Sequence, residues 1–178
     1  MMHCFSVPTW MGMVHALVEL HPFRLMQICL PDRPVRLKGS NASEAAVFPE
    51  LDPRQIPEAD QLAEMIHAYF ESRRPLQPCW QWLCLDRLTP RQQQVLFLTA
   101  EIPFGRVRTY GEIADALGKP GAARFVGNTM ALNPYPLMIP CHRVIRASGD
   151  AGGFGGGTDM KKALLAHEAA GRHPVLAH

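Results

Sequence analysis

Three prolines punctuate one apolar run, NPYPLMIPCHRVI, at residues 133 to 145. A proline ring fixes φ and removes an amide donor, so Pro134, Pro136 and Pro140 stiffen the segment and leave it few ways to fold. The run closes by presenting a thiol, Cys141, directly before His142 and Arg143. Positive or protonatable neighbours favour thiolate, the nucleophilic form. The commoner fate of an intracellular cysteine is a small buried hydrophobe, and the rest of the chain must arbitrate between packing and chemistry. If residues 139 to 145 are extended, Cys141 and His142 point to opposite sides. That geometry predicts a relay between them in place of a direct pair.

At 178 residues and 47% hydrophobic, the chain suits one compact domain or two small ones with a real core. A formal charge of +2 permits an anionic partner without demanding one. The five cysteines, Cys4, Cys29, Cys79, Cys84 and Cys141, form an odd set with no CxxC spacing. That argues against a disulfide framework and a ready zinc site, and for a reducing compartment. The stretch VPTWMGMVHALVEL lacks a basic region before it, and no apolar run reaches the roughly 18 residues of a membrane span. A soluble intracellular protein is expected: cytoplasmic in a bacterium or archaeon, nuclear in a eukaryote.

The two halves differ in pattern. GMVHALVEL, FRLMQICL and PVRL, within residues 12 to 38, read as the short strands of a β-meander. From Pro57, Leu62, Met65, Ile66, Tyr69 and Phe70 recur at helical steps, giving a covering helix that ends near ESRRP. Residues 73 to 88 read as a connector. The expected class is α+β, with an N-terminal domain over 1–88 and a mainly helical C-terminal domain over 89–178.

Thr89 before Pro90 predicts a helix that runs to the IPFG turn at 102 to 105. TYGE at 109 to 112 is a capping box that opens a short helix stopping at Gly118. After GKPG a second helix runs to about Leu132, and the pair makes a helix-turn-helix pattern. On that second helix, Ala122, Val126 and Met130 form a buried stripe. Arg124 and Asn128 share another face with the small residues Ala123, Gly127 and Ala131, which suits close approach to a surface or tight helix packing. GDAGGFGGG at 149 to 157 fits no phosphate-binding fingerprint. A last helix is expected from Thr158 to Ala170, with Leu164 and Leu165 inward. Arg143 reads as a structural partner for backbone carbonyls or a carboxylate.

IPCHRVI, preceded by TYGEIA and GAARFVGNTMALNP and followed by LLAHE, resembles the active-site half of the O6-alkylguanine-DNA alkyltransferases, also called methylated-DNA-protein-cysteine methyltransferases. The resemblance covers about residues 89 to 170; the N-terminal half resembles the family only in layout. It implies direct repair of alkylated double-stranded DNA. The helix-turn-helix would enter the minor groove, the O6-alkylguanine would be flipped out, and its alkyl group would move irreversibly to Cys141, once per molecule. O4-alkylthymine is a further candidate substrate.

The resemblance also implies roles for single residues. Cys141 matches the alkyl acceptor, His142 the water-linked base, Glu168 the carboxylate that orients it, Asn133 the brace of the active-site turn, and Tyr110 the phenol that hydrogen-bonds guanine N3. Arg124 matches the finger that fills the gap left by the flipped base, with Thr109, Ala123, Gly127 and Asn128 beside it on DNA. Met130, Pro136, Phe154, Gly155 and Gly156 would line the substrate pocket. No cofactor and no membrane partner is implied, and a monomer is expected.

Two departures stand out. Where many relatives carry a tyrosine-containing loop with a serine or similar polar residue near the alkylated oxygen, this chain reads GGFGGG, so Phe154 and Gly155 offer fewer side-chain hydrogen bonds. Some relatives hold an N-terminal zinc, but His3, Cys4, His15, His21 and Cys29 fall at no alignable spacing, so no metal is expected. The alternative readings are a damage sensor without effective alkyl transfer and a cysteine hydrolase using Cys141 and His142. Relatives of the sensor kind lack the acceptor cysteine, and the hydrolase needs an oxyanion hole that the sequence does not reveal.

Overall fold

The structure, a computed structural model, describes residues 1–31 and 48–170, so the strand expected at 34–37 lies outside the described residues. The chain divides into two compact units, Met1–Arg87 with Pro134–Met138 and Leu88–Asn133 with Ile139–His178.

The first unit is built on an antiparallel meander of β1 (Met2–Thr9), β2 (Gly12–Glu19) and β3 (Arg24–Cys29), in the order β1-β2-β3. The sequence signals β2 and β3 but not β1, because Pro8 punctuates it. Pro8 is tolerated near the end of the strand, opposite Met13, in a strand that has a ladder partner strand on one side only. On its other side, Cys4 makes two backbone bonds to the 49–51 segment, from its N–H to Pro49 O at 2.9 Å and to its carbonyl from Leu51 N at 2.8 Å. Helix α1 (Pro57–Ser72) packs on β1 and buries Ala59, Leu62, Ile66, Tyr69 and Phe70, with Met65 only half-buried. Each such large apolar side chain contributes about 1.5–3 kcal/mol on burial.

The middle of the proline run belongs to this unit. Pro134 O accepts from Ile28 N at 2.8 Å, the buried Tyr135 hydroxyl donates to Cys84 O at 2.8 Å, and Leu137 turns the chain at φ 73°. Prolines cost this segment no backbone bonds that a helix or inner strand would need.

The second unit begins with α2 (Pro90–Ala100), capped by Thr89, whose Oγ1 accepts from Gln92 N while the Gln92 side chain accepts from Thr89 N at 2.9 Å. β4 (Arg108–Thr109) leads into α3 (Tyr110–Ala116) through the Thr109/Glu112 capping box. Gly118 and Gly121, at φ 70° and 85°, make the turn into α4 (Ala123–Leu132). β5 (Val144–Ile145) pairs in parallel with β4, and α5 (Thr158–Ala170) completes the unit. Val95, Leu96, Ile113, Val126 and Leu164 form its core, while Leu165 is only half-buried. Among the described residues no helix is long and apolar enough to cross a membrane.

Candidate active site

Cys141 sits at the first position of a single 3-10 turn, Cys141–Arg143, rather than on an extended run. Pro140 sets up the turn at φ −80° and ψ 65°, and its carbonyl accepts from Arg143 N at 2.8 Å. Asn133 braces the approach: its buried Nδ2 donates to Ile139 O at 2.8 Å, the same carbonyl that accepts from Cys141 N at 2.8 Å. The two-residue ladder of β4 and β5 then ties the turn to the start of α3, where Tyr110 stands. Neither strand has a sequence signal, since two residues carry no periodicity.

Behind Cys141 lies a buried polar cluster. His142 Nε2 is 2.7 Å from Glu168 Oε1, and both side chains are fully buried. A carboxylate only accepts, so Nε2 is the donor and Nδ1 carries the lone pair. Glu168 also accepts from Gly105 N at 2.9 Å, and from Arg143 Nε and Nη2 at 2.9 Å each. Arg143 Nη1 donates to Ile102 O at 2.6 Å, so this arginine serves a carboxylate and a backbone carbonyl together. Burial would raise Glu168, but the hydrogen bonds from His142 and Arg143 and the Arg143 charge outweigh it and hold the carboxyl near 2. Burial also lowers His142, against the pull of Glu168, which keeps the imidazole neutral.

In front of Cys141 is a cavity of about 400 Å³. Tyr110, Ala123, Gly127, Met130, Phe154 and Gly155 line it together with Cys141, as do Ala131, Arg146 and Gly153. Gly127 supplies close approach: a Cβ there would lie 3.9 Å from the Tyr110 ring. Gly152, at φ 72°, is more constrained, because a Cβ would come 3.2 Å from the Tyr110 hydroxyl. Two expected pocket residues lie elsewhere. Pro136 is buried in the first unit and does not line the cavity. Gly156 does not line it either; the space beside its Cα is taken by Met160 and Phe154. Arg124 and Asn128 are exposed on α4, and Thr109 caps α3.

Lys161 was not anticipated from the sequence. Its side chain is fully buried, with Nζ donating to Val144 O at 2.6 Å and lying 3.5 Å from both the Tyr110 hydroxyl and Gly153 O. Burial lowers it to about 8, opposed by the negative charge available at Cys141. Burial likewise raises the Tyr110 phenol, so it keeps its proton at neutral pH. The available signal was spacing, since Lys161 precedes Leu164 by three residues and Glu168 by seven, all on one helical face. Among the described residues no group of three or more His, Cys, Asp or Glu side chains could hold a metal.

Residues 90–170 match the family described as 6-O-methylguanine DNA methyltransferase, DNA binding domain. A methylated-DNA-protein-cysteine methyltransferase of Mycobacterium tuberculosis is 53% identical over 79 residues, covering 44% of this chain and 48% of that protein. The match thus spans about half the length of the curated relatives. The crystal structure of the Mycobacterium tuberculosis O6-methylguanine methyltransferase superposes with a TM-score of 0.75 at 33% identity, over 99% of this chain and 98% of that one. The Mycobacterium tuberculosis OGT in complex with DNA matches with a TM-score of 0.71 at 32% identity, over 94% and 93% of the two chains. With 33% identity to that methyltransferase over nearly the whole length of both chains, the chain belongs to the O6-methylguanine methyltransferase family.

Proposed function

We propose that this protein repairs O6-alkylguanine in duplex DNA by taking the alkyl group onto Cys141, one group per molecule. The observation that carries the reading is a thiol at the floor of a base-sized cavity, followed directly by a histidine locked onto a buried carboxylate. The relative seen in complex with DNA supports a nucleic-acid partner.

DNA is approached by the small-residue face of α4, with Arg124 filling the gap left by the flipped base in the minor groove. Ala123, Gly127 and Asn128 on α4 and Thr109 at the start of α3 lie along the same approach. Few Lys and Arg side chains make phosphate contacts, so binding falls only shallowly with salt and carries little sequence preference. The protein works as a monomer, in the cytoplasm of a bacterial or archaeal cell or the nucleus of a eukaryotic one.

In the reaction the Cys141 proton passes to the His142 imidazole through a water, and the fixed Glu168 carboxylate stabilises the imidazolium that results. The thiolate attacks the carbon attached to O6. An S–C bond forms, the C–O6 bond breaks, and the guanine keeps that electron pair. Tyr110 hydrogen-bonds N3, and one proton returns to the base, so thiol plus alkylguanine becomes thioether plus guanine. The Lys161 ammonium, 3.5 Å from the phenol oxygen, favours negative charge developing at this end of the site. The thioether has no route back, and the protein is spent.

The test is restoration of guanine in a duplex held in excess. One guanine regained per protein, and no more, is the expected result. Repeated turnover would point to hydrolysis, and tight lesion binding with no restoration would make the protein a sensor.

A further inference from the structure

The cavity in front of Cys141 carries a cation that the proposed reaction does not use. Arg146 is the one charged side chain among its lining residues, and no Asp or Glu joins it there. The turn that bears it is closed by main chain, with Arg146 N donating to Asp150 O at 2.9 Å and Gly149 N to Arg146 O at 3.0 Å. The neighbouring Asp150 carboxylate accepts from Ser148 Oγ at 2.7 Å. The stem of Arg146 lies over Gly152, with its Cγ 3.4 Å and the Tyr110 hydroxyl 3.2 Å from the position of a Cβ there. The Arg146 stem and the Tyr110 hydroxyl therefore flank Gly152 on the cavity wall, with the buried Lys161 ammonium 3.5 Å from the phenol oxygen. The charge of Arg146 is felt in that wall, since it lowers both Tyr110 and Lys161. Glu168, the carboxylate of the site, is turned away and held by His142, Arg143 and Gly105. The wall facing the alkyl group is thus positive, and Gly155, which adds no side chain, leaves it open.

We propose that Arg146 makes the pocket select O6 substituents that carry negative charge, of which carboxymethyl is the simplest, by pairing with the substituent's carboxylate at the cavity rim. This rests on the alkyl-transfer reading and deepens it. The chemistry is unchanged: Cys141 sulfur bonds the methylene carbon, the C–O6 bond breaks, guanine leaves with the electron pair and takes one proton, and S-carboxymethylcysteine remains with its carboxylate toward Arg146. Because Arg146 is exposed, the pairing is screened by water and salt, and specificity is read as a ratio of rates.

The experiment measures single-turnover rates on one duplex carrying O6-methylguanine, O6-carbamoylmethylguanine or O6-carboxymethylguanine, for the wild type and for Arg146→Ala, Arg146→Lys and Arg146→Glu. The amide has the size of the acid without its charge. The carboxymethyl to carbamoylmethyl rate ratio is expected to fall about fivefold in Arg146→Ala at low salt, to recover in Arg146→Lys, and to fall further in Arg146→Glu. In the wild type the same ratio declines as salt is added. An unchanged ratio in Arg146→Ala overturns the proposal, and so does an equal loss on all three substrates, which would assign the guanidinium to a DNA phosphate. Absence of transfer from O6-methylguanine by the wild type is a separate result that removes the alkyl-transfer reading itself.

Discussion

His142 and Glu168 are joined Nε2 to Oε1 at 2.7 Å with no exposed surface on either side chain, and Arg143 closes on the same carboxylate. Three groups share one buried site, so the loss of any one strands the others.

Replacing Glu168 with Gln leaves Arg143 with an uncompensated buried charge, which costs about 3–5 kcal/mol. Chemical denaturation should show that loss near neutral pH. The pH dependence has a definite sign. Glu168 is held near 2 against an ordinary 4.5, so its contribution is complete above pH 4.5 and disappears as pH falls toward 2. His142, lowered by burial, adds to acid sensitivity because the unfolded chain takes up its proton first. The wild type should lose stability on acidification over that window, and Glu168→Gln should show a flatter profile.

Lys161 predicts opposite trends for stability and rate. Its folded value near 8 lies below the ordinary 10.5, so stability should rise as pH climbs from 8 toward 10.5. The ammonium beside Tyr110 is lost over the same interval, and the alkyl-transfer rate should decline above about 8. In Lys161→Met the rate should be lower at neutral pH and lack that decline. Transfer assays from about pH 6 to 10 check the rate, and denaturant unfolding over the same range checks the stability.

Gly127 separates helix stability from function. Alanine there meets only the Tyr110 ring at ordinary contact distance, 3.9 Å, and should stabilise α4 by about 0.5–1 kcal/mol. The added methyl narrows the cavity and the face that approaches DNA. Thermal melting should therefore rise while repair of a duplex lesion slows.

Arg124 should matter on duplex DNA and little elsewhere. Arg124→Ala is expected to slow repair of a lesion duplex by tenfold or more, at roughly 1.4 kcal/mol per decade, while reaction with the isolated O6-benzylguanine base is nearly unchanged. Equal losses on both would remove the finger role.

What the sequence made legible was local. Thr89 and Thr109 signalled helix starts because capping is settled within four residues, and Gly118 and Gly121 marked the turn of the helix-turn-helix. Cys141, His142 and Glu168 were named through family resemblance, and the structure brings them together around one turn. What stayed hidden depends on distant chain. Pro8 disguised β1, which has a strand partner on one side only. The two-residue pairing of β4 with β5 has no pattern of its own. Pro136 packs in the first unit, although its neighbours in sequence lead to the thiol. Lys161 carries no motif of its own in the sequence, and only tertiary packing shows it buried beside Tyr110.

Irreversible transfer to one thiol is read directly by peptide mass spectrometry after reaction with a duplex carrying a single O6-methylguanine. One added methyl group is expected on the peptide that contains Cys141, saturating at one per protein and absent in Cys141→Ala, which still binds the duplex. Methyl on another cysteine, full transfer by Cys141→Ala, or an unmodified protein that holds the lesion tightly would contradict it.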